Sequence, residues 1–146
     1  MISANTDSAL LASAVPEKGT LPVAAKYGEA SRGGFQAVPD ILLKKQDALG
    51  LSATELVVLL NILMHWWYPA QKPFPRSSTI ASRMGISPRT VQRAIQRIED
   101  ELGLLFKTQG AEGETFLDPT PLVKRLEELV KDDPSYLYRT EGLAAM

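Results

Sequence analysis

Between Ser77 and Ile98 the chain reads SSTIASRMGISPRTVQRAIQRI, two short helical patterns separated by only three residues. That spacing restricts the fold more than any other feature of the sequence. Ala81 is the small residue that lets two helices cross closely, and four residues later Gly85 sits where the chain must turn, at positive φ. Ser87 is placed to cap the second helix. Pro88 takes the first helical position, where its missing N–H costs nothing. Ile80, Met84, Ile86, Val91 and Ile95 supply a small shared core.

The charge of the same segment points to a polyanion. From Ala70 to Ile98 the chain carries Lys72, Arg76, Arg83, Arg89, Arg93 and Arg97 and no acidic residue, although the whole protein has a net charge of −1. The remainder is therefore strongly acidic, and the positive charge is concentrated on one element. A solvated basic face is the plain alternative. Its coincidence with two helices about a tight turn favours contact with double-stranded DNA.

Helical phase sharpens the expectation. At about 100° per residue, Val91, Ile95, Ile98 and Leu102 share one sector, the buried face. Arg89, Arg93 and Gln96 lie opposite, with Arg97 beside them and Thr90 and Gln92 on the flanks. Arg and Gln read guanine and adenine edges in the major groove, and residues near the N-terminus of such a helix reach furthest in. Arg89, Thr90, Gln92 and Arg93 are thus the candidate base readers. Candidate phosphate contacts are Arg76, Ser77, Ser78, Thr79 and Arg83 on the first helix and its entry. Ser87, Gln96, Arg97 and Lys107 complete the phosphate set, and Glu99, Asp100 and Glu101 mark where DNA contact stops.

A length of 146 residues predicts one domain with some tail. There is no cysteine, which excludes disulfides, a zinc finger and thiol chemistry. The N-terminus lacks a basic region followed by a continuous apolar one, and Ala9 to Val15 is too short for export. No run approaches the roughly 18 apolar residues of a membrane span. A soluble, cytoplasmic protein is the expectation.

Residues 1–34, rich in Ala, Ser, Gly and Pro, are predicted to be a disordered arm; Lys26 and Arg32 could touch DNA from it, but a plain flexible terminus is the simpler reading. Residues 35–131 form the folded domain. A short helix starts at Pro39-Asp40 and ends near Gly50. Ser52 and Glu55 form a capping box that opens a central apolar helix to about Trp67. Trp66, Trp67 and Tyr68 are expected to pack at the end of that helix; the rival reading is a stacking platform for single-stranded nucleic acid. Pro69, Pro73 and Pro75 keep the next stretch extended. After the basic helix, Leu104–Thr108 and Glu114–Leu117 read as two strands about Gln109–Gly113. A last amphipathic helix starts at Asp118-Pro119-Thr120-Pro121, and residues 132–146 are left as a tail.

With that hairpin in place, the chain resembles winged helix-turn-helix DNA-binding domains. More narrowly, it is similar to those of bacterial, phage and plasmid replication initiators and transcription regulators. The likeness rests on Leu51-Ser52-Ala53-Thr54-Glu55, Pro73-Phe74-Pro75, Ile80 to Ser87, Arg89 to Arg93 and Gly103-Leu104-Leu105. It implies a mainly α fold with a small β-hairpin, and sequence-specific DNA binding by a small transcription regulator or by a replication initiator's DNA-binding module. The wing tip departs from the family, because Glu112 and Glu114 stand where a basic tip meets DNA, leaving only Lys107. No sizeable effector or catalytic domain accompanies the domain.

An enzyme is not expected, and neither are a metal nor a cofactor. His65 is alone inside an apolar helix, no Gly-rich loop follows a strand, and Glu127-Glu128 and Asp132-Asp133 are adjacent solvated pairs rather than opposed carboxylates. A protein-interaction winged helix would present apolar or acidic residues where this chain presents Arg89, Arg93, Gln96 and Arg97. A homodimer through Leu122, Leu126 and Leu129 is possible on the pattern, although the same face can close the monomer core.

Overall fold

The computed structural model describes residues 22–144, which divide into two compact units after Ala37. The N-terminal unit holds helix α1 (Pro22–Tyr27) and a 3-10 helix (Gly28–Gly33), neither of which buries a residue. The expectation of a disordered arm over 1–34 lies outside the described residues up to position 21; beyond it the chain forms these two short helices. Pro22 pre-sets the first helical φ, and Ala24 and Ala25 are strong helix formers. Ser31 Oγ closes the following turn on Gly28 C=O at 2.7 Å.

In the second unit, α2 (Asp40–Lys44) leads through turns to α3 (Ala53–Leu63). The capping box is present in full: Glu55 N–H donates to Ser52 Oγ at 3.1 Å, and Ser52 N–H donates to Glu55 Oε1 at 2.8 Å. Helix α3 ends at Leu63, four residues before the predicted end. His65 and Trp66 N–H groups bond back to Ile62 and Leu63 C=O, tightening the last turn, and Pro69 excludes any continuation. His65 therefore lies in a half-buried turn rather than inside the helix, a correction to the expected core position. Trp67 and Tyr68 are 77% and 67% exposed, so the expected packing at the helix end fails for both.

Helix α4 (Ser77–Met84) stops at Gly85, which has φ 68° and ψ 32° and whose N–H bonds to Ala81 C=O. Ser87 then caps α5 (Pro88–Asp100), its Oγ accepting from Thr90 N–H at 3.1 Å. An added Cβ at Gly85 would meet nothing within 4 Å, so the cost of Gly85→Ala is conformational alone. We expect it to destabilise the domain by about 1 to 2 kcal/mol in urea denaturation, the ordinary penalty of left-handed backbone with a side chain.

The core runs through all these elements. Leu42, Leu59, Ile62, Ile80 and Ile98 are fully buried, with Val58 and Val91 beside them. Strands β1 (Phe106–Gln109) and β2 (Thr115–Asp118) form an antiparallel hairpin with Phe106 opposite Asp118 and Thr108 opposite Phe116. Leu104 and Leu105, read as the start of β1, instead precede it as buried core residues. Leu117 N–H donates to Pro73 C=O at 3.0 Å, which lays the proline-rich approach to α4 along β2.

Helix α6 (Thr120–Val130) closes the unit. Leu122 and Leu126 are buried in the core and Leu129 packs against it, so the face offered for dimerisation is occupied within the monomer. Residues 134–144, expected to be tail, form α7 (Pro134–Ala144), with Asp133 Oδ1 accepting from Ser135 N–H at 2.9 Å at its start. No helix among the described residues is long and apolar enough to cross a membrane.

Asp118 joins the hairpin to α6. Its Oδ1 accepts from Thr120 N–H at 2.9 Å and Thr120 Oγ1 at 2.6 Å, and Lys72 Nζ stands 3.3 Å away. Burial raises this carboxyl, but the Thr120 and Lys72 interactions outweigh it and the net shift is downward. A depressed carboxyl stabilises the fold above its unfolded value near 3.9, and that contribution disappears as pH falls through the lower folded value. Asp118→Asn should therefore flatten the acid limb of the stability–pH curve below about pH 4, as read by urea midpoints across that range.

Candidate nucleic-acid interface

Helix α5 turns Val91, Ala94, Ile95 and Ile98 into the core. Its opposite face carries Arg89, Gln92, Arg93 and Gln96, all exposed. Among the described residues none of these four makes a side-chain hydrogen bond or an ion pair: the polar side-chain contacts of α5 and its cap are made by Ser87, Thr90, Arg97 and Glu99. Four long polar side chains are thus left with their donors free, on a helix whose exposed face holds no acidic residue before Asp100. This is the arrangement that major-groove readout requires.

The entry to α4 adds a second anchor. Arg76 is exposed and unpaired among the described residues, and no side chain caps the helix. The N–H groups of Ser77 and Ser78 are left open, and the hydroxyls of Ser78 and Thr79 face solvent. Open amides at the positive end of a helix suit a phosphate. Ser87 and Thr90 hydroxyls bond to each other at 2.8 Å, so the predicted Ser87 phosphate contact and Thr90 base contact share one remaining proton.

Three predicted phosphate contacts are already engaged. Arg97 Nη1 bonds Glu55 Oε1 at 2.5 Å and Gly50 C=O at 2.9 Å, while its Nε bonds Glu101 at 3.1 Å. Its guanidinium, expected to meet phosphate, ties α5 to the start of α3. Gly50 belongs to the same junction: its φ is 80°, and an added Cβ would stand 2.9 Å from Leu102 Cδ2. Arg83 Nη1 lies 3.3 Å from both Asn61 Oδ1 and His65 Nε2, on the α3 side of α4. Lys107 pairs with Glu99 at 3.5 Å, so the one cation of the wing is matched by an acid.

The acceptor for Arg97 was present in the sequence as Glu55, the single acid of an otherwise apolar helix. It is buried, and a buried carboxylate requires a partner. Among the described residues no group of three or more His, Cys, Asp or Glu side chains could hold a metal ion.

Comparisons with known proteins agree with this geometry. Residues 49–105, from the end of the α2 turns to Leu105, match the family model described as a helix-turn-helix domain. No curated protein matches the chain. Among solved structures, it is similar to the crystal structure of the N-terminal domain of DnaD protein from Geobacillus kaustophilus HTA426. The two share 25% identity at a TM-score of 0.53, with 80% of this chain and 94% of that one covered. The second unit, with α4 and α5 about Gly85 and the β1–β2 hairpin after them, has a winged helix-turn-helix fold.

Proposed function

We propose that this chain binds double-stranded DNA sequence-specifically, placing α5 in the major groove. The observation that carries this reading is the exposed, unpaired set Arg89, Gln92, Arg93 and Gln96 on one face of that helix. Arg76 and the open N-terminus of α4 hold the flanking phosphates. The acidic tip and the Lys107–Glu99 pair keep the wing from contributing much. The proposal assigns no catalytic step, no cofactor and a cytoplasmic site of action.

Fluorescence anisotropy of a labelled duplex, titrated at several salt concentrations, tests it. Each neutralised phosphate contributes about −0.9 to the slope of log affinity against log salt, and three or four contacts give a slope of about −3. No binding at low salt would remove the reading.

Two biological roles fit such a domain. A small transcription regulator accords with the exposed, unpaired basic face of α5. The DnaD likeness favours the other: the matched structure is one domain of a protein, and this chain covers nearly all of it, as a DNA-binding module for replication would. A reporter on the neighbouring promoter, set beside a replicon-maintenance assay, separates them.

A further inference from the structure

Four large aromatic rings are exposed on the approach to α4 and on the hairpin: Trp67 at 77%, Tyr68 at 67%, Phe74 at 46% and Phe106 at 60%. The core does not need them there. A tight turn, closed by Gln71 N–H on Tyr68 C=O at 3.0 Å, holds Trp67 and Tyr68 outward. Lys72 Nζ donates to Pro69 C=O at 2.8 Å and stands 6.0 Å over the Trp66 ring. Phe74 packs its ring 5.5 Å from that of Phe116. Directly opposed residues of a hairpin share a face, so Phe106 lies beside Asp118, which Lys72 engages. Trp66 and Phe106 thus lie about the Lys72–Asp118 pair, with Trp67 and Tyr68 at the turn just before Lys72 and Phe74 just after it.

Three observations say what this strip receives. Residues 66–76 carry two positive charges and no acid; Lys72 is matched by Asp118, and Arg76 is free among the described residues. Between the rings there is no Leu, Ile, Val or Met, so the strip has few of the aliphatic contacts that a protein partner would bury. Pro69, Pro73 and Pro75 restrict the backbone, so little conformational freedom remains to be lost on binding. Rings spaced along a basic, stiff segment suit bases, each of which offers a π-face whatever its sequence. The strip also runs directly into Arg76 and the open amides of α4, the proposed duplex phosphate contact.

We infer that residues 66–76, with Phe106, form a stacking platform for an unpaired DNA strand leaving the duplex held by α4 and α5. Trp67 and Tyr68 stack on its bases and Arg76 meets the phosphate at the junction. The chain thereby distinguishes a duplex with an unpaired arm from a fully paired one. This inference rests on the duplex-binding reading.

The test compares a blunt duplex with the same duplex carrying a thymidine extension of about ten nucleotides, long enough for one such platform. We expect the extended duplex to bind about tenfold more tightly and to quench tryptophan emission, Trp66 and Trp67 being the only tryptophans. The double variant Trp67→Ala, Tyr68→Ala should lose that advantage and keep its blunt-duplex affinity, while Trp67→Phe retains part of it. Both residues are exposed, so the variants keep the fold, checked by thermal unfolding. Equal affinity of the native protein for the two duplexes would overturn the platform alone and leave duplex binding standing. Failure to bind either duplex would overturn both readings. Self-association in sedimentation that the double variant abolishes, without an arm-dependent gain, would assign the strip to a second copy of the chain.

Discussion

Replacing Arg89 and Arg93 together by alanine should weaken specific DNA binding by at least about a hundredfold while leaving thermal unfolding unchanged. A well-placed arginine that reaches a base edge contributes about 1 to 3 kcal/mol of discrimination, and two at the middle of that range, about 4 kcal/mol together, exceed a factor of a hundred. Both guanidinium groups are free of protein partners among the described residues, so their removal breaks no contact and opens no cavity. The loss should be larger for the selected site than for a random duplex, because base contacts specify where phosphate contacts only position. Anisotropy on both duplexes checks this. Equal losses would move the two arginines to the phosphate set, and unchanged affinity with an intact fold would show that the recognition surface lies elsewhere.

The second large effect is on stability. Arg97→Ala should destabilise the domain by about 3 kcal/mol, because it strands the buried Glu55 carboxylate that the guanidinium neutralises. Glu55 would keep only the Ser52 N–H of the capping box, and Gly50 C=O would lose its donor. Arg97→Lys cannot reproduce three contacts from one planar fork and should recover only part of the loss. Urea denaturation measures the effect, and a double-mutant cycle with Glu55→Gln isolates the pair. If Arg97→Ala instead leaves stability intact and weakens DNA binding, the residue belongs to the interface.

These two variants also mark where sequence reasoning succeeded and where it stopped. The turn at Gly85, the cap at Ser87, the capping box at Ser52 and the inward face of α5 all follow from neighbours within a few residues. Each was legible, as were the hairpin and α6. What failed depends on contacts with distant residues or on local cues that the helical pattern hides. Arg89 and Arg97 look alike on a helical wheel, and only the arrival of α3 beside the second gives it partners within the fold. Trp67 and Tyr68 read as core because aromatic rings beside an apolar helix usually are, but the tight turn at Pro69 points them outward. Helix α7 escaped notice because its sequence, PSYLYRTEGLA, lacks a sustained apolar stripe.

The junction of Glu55, Gly50 and Arg97 bears on how the protein meets its target. One carboxylate oxygen both closes the cap of α3 and holds the guanidinium of α5. The recognition helix cannot roll or slide without opening the first turn of α3 and exposing a charge. We therefore expect its pose to be the same before and after contact, with association a docking of rigid bodies rather than a coupled folding event. The heat-capacity change on binding then reflects only the surface the two partners cover, and the entropy of ordering α5 has already been met when the domain folds.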